Sequence, residues 1–174
     1  SEQGVQFGIG LSPFDVQQNY DSAARSALLA KTKKLNQLKP DLLCVLFDDM
    51  KGDISALAQI QADMSHLIAD AADSERLVVC PSYYSDDPVL EKVFGNAPTD
   101  YLEDLGRLLD KRLDIFWTGP LVCSTDYPRD HLENVRQRLQ RKPFLWDNYP
   151  VNDGAKKCNH LHLKPFRSHD ITDL

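Results

Sequence analysis

Five short apolar runs recur along the chain at nearly constant spacing. They are Phe7–Leu11, Leu42–Phe47, Leu77–Cys80, Ile115–Trp117 and Phe144–Trp146, and their starts lie 35, 35, 38 and 29 residues apart. Each run except the last precedes a stretch with helical period. Ala24, Leu28, Leu35 and Leu38 share one helical face, with Asn19 or Asp21 as the N-cap. Asp53 is the expected cap ahead of Ile54, Leu57, Met64 and Ile68. Thr99 precedes Leu102, Leu105 and Leu109, and Leu132, Val135 and Leu139 form the fourth stripe. The runs lack polar alternation, as strands covered on both faces do. The chain therefore reads as an α/β protein with a parallel sheet. One βα unit takes roughly 35 residues, so eight would need roughly 280, near the usual size of a (β/α)8 barrel. The choice is an open doubly wound sheet or about five-eighths of a barrel.

Composition narrows the function. Of 174 residues, 42% are hydrophobic and 26% charged, which supplies one sizeable core and excludes a disordered or disulfide-knot chain. No apolar run is long enough to span a membrane. Ser1–Gln6 is neither basic nor apolar, so no signal peptide is expected, and an initial Ser in place of Met points to a processed chain or a fragment. Net charge is -6. The basic groups at Lys31, Lys33 and Lys34 and at 136–142 have no interleaved aromatics, so nucleic acid is not an expected partner. Cys44, Cys80, Cys123 and Cys158 form no CxxC, which argues against structural zinc. Free thiols fit a reducing, cytoplasmic compartment.

No linker divides the chain. The loop from Ser85 to Pro98 is long and is expected to lie over one end of the sheet. In α/β folds, functional groups gather at the C-terminal ends of strands. Those ends read Ser12-Pro13, Asp48-Asp49, Pro81-Ser82-Tyr83-Tyr84, Thr118-Gly119-Pro120 and Asp147-Asn148. No phosphate-loop, dinucleotide, serine-hydrolase or zinc-protease motif occurs. Asp48-Asp49 places two carboxylates side by side. Repulsion raises one of their pKa values, leaving one group to hold charge and one to donate a proton. Helix capping and a metal pair are the alternatives, and a Mg²⁺ site would need further carboxylates at neighbouring ends, where Asp147 alone offers one. From Trp146 to Asp153 an aromatic stands among amides and carboxyls, the mixture that sugars require. Trp117 reads as core. His160 and His162 alternate as either a metal pair or surface residues.

Taken in order, LLCVLFDDM, LVVCPSYY, DIFWTGP and PFLWDNYPVND, preceded by FGIGLSP, resemble the family-84 glycoside hydrolases. These are the O-GlcNAcases and the bacterial β-N-acetylglucosaminidases once called hyaluronidases. The resemblance runs from about Phe7 to Asp153. It implies a (β/α)8 catalytic barrel, present as about five βα units, with residues 1–174 forming part of that single barrel. It also implies a retaining exo-hydrolase of terminal β-linked N-acetylglucosamine that uses the substrate acetamide as nucleophile, one of the substrate-assisted exceptions among glycosidases.

By this resemblance Asp48 orients and polarises the acetamide N–H, and Asp49 is the general acid and then base. Tyr84 stands near the acetamide, Cys80 lines the methyl pocket, Trp146 forms an aromatic wall and Asn148 supplies a hydrogen-bonding amide. Asp153 binds sugar hydroxyls. No cofactor or metal is implied. The expected partners are a glycan or glycoprotein bearing N-acetylglucosamine and the remaining barrel segments, from the parent chain or a second chain. A non-catalytic carbohydrate-binding or assembly fragment is the alternative. Two barrel strands that precede FGIGLSP in the family, with an EGFYG-type motif and a lysine, do not appear here. Neither does the last strand, and Gly154 stands where an aromatic is expected. Neighbours in a regular strand face opposite sides, so the strand must break at Asp48 or Asp49 for both to serve one pocket.

Overall fold

A computed structural model describes residues 4–148, 151–152, 158–159 and 161. Five strands are found among these residues: β1 (Gly8–Leu11), β2 (Leu42–Leu46), β3 (Arg76–Cys80), β4 (Leu113–Trp117) and β5 (Phe144–Leu145). Each falls on one of the five apolar runs. All neighbouring pairs are parallel and the spatial order is β1-β2-β3-β4-β5. That order decides between the two architectures. A doubly wound sheet reverses its strand order, whereas a barrel adds each strand beside the last. With right-handed crossovers throughout, sequential addition puts every helix on one face.

The helices are α1 (Ser22–Asn36), α2 (Leu57–Ala71), α3 (Val89–Phe94), α4 (Tyr101–Leu108) and α5 (Arg129–Leu139). They pack in series, α1 on α2, α2 on α4 and α4 on α5. The described residues thus form four βα units and a fifth strand of a (β/α)8 barrel. Between helices and sheet lies the main core, where Leu43, Val45, Val79, Ile115 and Trp117 meet Leu28, Met64, Ile68, Val135 and Leu139. Trp117 is core, as its sequence context suggests. The opposite sheet face borders an open concavity of about 500 Å3 lined by Gly8, Gly10, Cys44, Leu46, Phe116 and Trp146. This explains the missing polar alternation, because a barrel interior is filled by side chains as its outer layer is.

Several local expectations need correction. Asp21 does cap α1, its carboxylate accepting from Ala24 N at 2.8 Å. Leu38, however, lies beyond that helix and is exposed. Asp53 does not cap α2, which follows Ala56 in a left-handed conformation (φ 57°). Nor does Thr99 cap α4, whose N-cap is Asp100. The segment read as a loop from Ser85 to Pro98 contains α3, which buries Leu90 and Phe94 in a second apolar cluster with Leu57, Tyr83, Tyr101 and Leu105.

Candidate active site

β2 ends at Leu46, and Phe47 N still donates to Cys80 O at 2.9 Å. Two residues later the chain turns, because Asp49 adopts a left-handed backbone with φ 60°. Asp and Asn tolerate this region better than other non-glycine residues. The break required for adjacent carboxylates to leave the strand geometry therefore occurs at Asp49. Asp48 is half-buried and faces a small pocket, while Asp49 is exposed and is not part of that lining. Burial, followed by the charge of Asp49, pushes the Asp48 carboxyl up from its ordinary range, and a hydrogen bond from its own backbone amide partly offsets this.

The pocket is about 50 Å3 and is lined by Asp48, Cys80, Tyr84, Thr118, Trp146 and Asn148. These residues are 32 to 100 positions apart from Asp48 in the chain but stand at the C-terminal ends of β2, β3, β4 and β5. Cys80 ends β3 and is 1% exposed. Burial and then the Asp48 charge hold its thiol well above its ordinary pKa, so it is a neutral, compact wall. Tyr84 is pushed up by burial and then by Asp49, whose charge acts on it more strongly than that of Asp48. Its phenol therefore stays protonated and can donate. Thr118 N donates to Tyr84 O at 2.9 Å, tying the β3 and β4 ends together.

Trp146 N donates to Trp117 O at 3.0 Å, and the Trp146 ring stands edge-on to Phe116 with centroids 4.9 Å apart. The aromatic wall is thus braced from the barrel interior. Asn148 Nδ2 donates to Val122 O at 3.0 Å. That bond sets the orientation of the amide at the pocket.

The chain matches the family of beta-N-acetylglucosaminidases over residues 1–172. It belongs to that family. This β-N-acetylglucosaminidase-family chain is 28% identical over 151 residues to Protein O-GlcNAcase of Rattus norvegicus and, equally, to that of Mus musculus. The match takes in 82% of this chain and 16% of each relative's length. Its fold superposes on a mutant of the O-GlcNAc hydrolase of Thermobaculum terrenum with a TM-score of 0.77 at 29% identity. That alignment covers 95% of this chain and 37% of the solved one. The family's glycosidase relatives are therefore matched by a chain spanning a minority of their length.

Of the residues expected at the site, Asp48, Cys80, Tyr84, Trp146 and Asn148 come together around one pocket, and Asp49, expected to share it, is not in its lining. Asp153, His160 and His162 lie outside the described residues. Thr118, one of the strand ends but given no site role by the resemblance, joins that lining. The signal was the period of two, because Phe116 faces the interior and Thr118 is its next same-side neighbour. Among the described residues, no group of three or more His, Cys, Asp or Glu side chains could hold a metal ion.

Proposed function

We propose that these five strands and their helices carry the acetamide-binding and acid–base part of a retaining exo-β-N-acetylglucosaminidase barrel, with residues 1–174 belonging to one catalytic domain. Terminal β-linked N-acetylglucosamine, including O-GlcNAc on modified proteins, is the substrate class. The acetamide oxygen attacks the anomeric carbon as the glycosidic C–O bond breaks, giving an oxazoline. Burial raises the Asp48 pKa in the free chain; the acetamide N–H that Asp48 accepts favours its charged form once substrate is bound, and as carboxylate it stabilises the developing positive charge. Asp49, as acid, gives its proton to the leaving oxygen. Asp49 then takes a proton from water, which adds to the anomeric carbon and opens the oxazoline with net retention.

The observation that carries this reading is the unequal placement of two adjacent carboxylates. Asp48 is half-buried among Cys80, Tyr84, Trp146 and Asn148, while Asp49 stands exposed past a left-handed turn. A buried carboxylate beside a small pocket suits the acetamide, and an exposed one suits the departing aglycone. Asp153 would hold sugar hydroxyls. The remaining barrel segments would supply the rest of the sugar wall.

The test is made in the full polypeptide that carries this sequence. Asp49→Asn should lower kcat most for substrates with poor leaving groups, by about 10²–10⁴-fold, and spare activated aryl glycosides. Asp48→Asn should depress both classes. Equal losses for Asp49→Asn across leaving groups would remove its acid role. The second reading, a non-catalytic carbohydrate-binding or assembly fragment, draws on the open concavity of about 500 Å3 found among the described residues.

A further inference from the structure

The loop that carries Asp48 and Asp49 is held at both ends by one buried polar network. Its hub is Gln61, in the second turn of α2 and fully buried. Gln61 Nε2 donates to Ser82 Oγ at 2.8 Å and to Gln17 Oε1 at 3.0 Å. Ser82 Oγ in turn donates to the carbonyl of Phe47 at 2.9 Å. Gln17 Nε2 donates to the carbonyl of Lys51. Phe47 and Lys51 are the residues that flank the segment Asp48-Asp49-Met50. The two protons of one amide therefore lead by separate branches to the two ends of the carboxylate loop.

The orientation of every group is determined. Ser82 N donates to the Tyr101 hydroxyl at 3.2 Å, so that oxygen is an acceptor, and its own proton goes to Gln61 Oε1. Burial pushes the Tyr101 phenol well above its ordinary pKa, which keeps that proton in place. With Oε1 receiving Tyr101, the Gln61 amide has only one consistent rotamer, and both donors face the loop. Gln17, Ser82 and Tyr101 are each at most 4% exposed. Four polar side chains in a dry space are costly unless all are paired, and a paired network is stiff.

We infer that Gln61 is a positioning residue for the Asp48–Asp49 pair, setting the loop through Ser82 and Phe47 on one side and through Gln17 and Lys51 on the other. The inference rests on the catalytic reading of the two carboxylates given above. Acid–base groups displaced by about 1 Å lose on the order of 10²-fold in rate. The effect should fall hardest on the proton transfer of Asp49, which depends on reach to the leaving oxygen.

The experiment uses the full polypeptide and compares kcat for an unactivated and an activated N-acetylglucosaminide. Gln61→Met keeps length and volume but has no donors. It should lower kcat on the unactivated substrate by about 10–100-fold and on the activated one by less, and it should shift the pH profile. Tyr101→Phe removes the proton that Gln61 Oε1 accepts and the acceptor for Ser82 N, but no donor of either branch to the loop. It should lower the thermal midpoint yet change the substrate ratio less than Gln61→Met does. A merely structural role would leave the ratio constant in both variants. If Asp49→Asn changes the ratio and Gln61→Met does not, this inference is overturned while the catalytic reading stands. If Asp49→Asn leaves the ratio unchanged, both fall. Should Gln61→Met not fold, Ser82→Ala decides in its place, since it removes only the branch to Phe47. A changed ratio supports the inference and an unchanged one overturns it.

Discussion

Trp117 Nε1 donates to His131 Nε2 at 3.1 Å, with the two rings stacked at 28°. An indole N–H can only donate, so His131 must present a lone pair there and carry its proton on Nδ1. Nδ1 lies 3.7 Å from Asp86 Oδ2. Burial lowers the His131 pKa and Arg138 adds to this, while Asp86 and Asp130 oppose it. The folded state thus disfavours the protonated form relative to the unfolded chain. Its stabilising contribution is complete above the ordinary value of about 6.5 and is lost as pH falls through the lowered folded value.

Urea unfolding between pH 5 and 7.5 should therefore show stability rising with pH in the window just below 6.5, with a slope from this group of at most about 1.4 kcal/mol per pH unit. His131→Gln can still accept from Trp117 but does not titrate, and it should flatten that window. An unchanged slope in His131→Gln would assign the pH dependence elsewhere.

The Asp48 carboxyl offers a direct electrostatic test. Burial is the larger cause of its raised pKa and Asp49 the next. In Asp49→Asn the Asp48 side-chain carbon should titrate at lower pH than in the parent, yet still above the usual carboxylate range. Titration in the ordinary range would mean that repulsion, not burial, was the main cause.

Gly106 lies inside α4, where alanine would ordinarily stabilise a helix by about 1 kcal/mol. A Cβ there would meet Arg138 O at 2.5 Å and Leu139 Cα at 2.6 Å, both backbone atoms of the α5 end. Backbone cannot swing aside as a side-chain tip can. Gly106→Ala should therefore destabilise by about 1–3 kcal/mol, read as a lower urea midpoint. Arg141, just past α5, donates to the carbonyl oxygens of Gly106, Leu109, Asp110 and Leu113, so the damage should centre on the α4–α5 contact.

The 174-residue chain by itself should be a poor catalyst and should self-associate. β1 and β5 are the two edges of the described sheet, and the concave interior beside them is open. Unpaired parallel edges template further pairing. Purified chain assayed with a fluorogenic N-acetylglucosaminide, with its mass measured in solution, checks both statements. A monomer turning over at ordinary glycosidase rates would contradict them.

Much of the architecture was legible because the period of burial is a local property. Runs such as Leu42–Phe47 and Ile115–Trp117 needed no partner to be recognised as strands. Strand ends could then be searched for chemistry, which led to Asp48-Asp49, Tyr84 and Asn148, whereas Trp146 stood out as an aromatic among amides and carboxyls and Cys80 entered only through the family resemblance. Helix starts were harder to read. Asp53 and Thr99 are good capping residues, yet α2 and α4 begin after Ala56 and Asp100 in left-handed turns. Tertiary packing of Leu57 and Tyr101 into the second cluster outweighed the local preference.

The alternation of apolar runs and helical stripes determined, from the sequence by itself, that this chain is α/β with parallel strands and a carboxylate pair at one strand end. Strand order was not in that pattern, since a doubly wound sheet and a barrel segment read alike until β1 to β5 are seen side by side. Nor could the sequence distinguish Asp48 from Asp49 in burial, because their difference comes from residues 32 or more positions away closing over one of them. Gln61 shows the same limit most clearly. Alone it is one more polar residue in a helix. Only when α2, α4 and the ends of β2 and β3 meet does its amide find Gln17, Ser82 and Tyr101. Periodicity is written in neighbours along the chain, whereas desolvation and hydrogen-bond pairing depend on what the fold brings near.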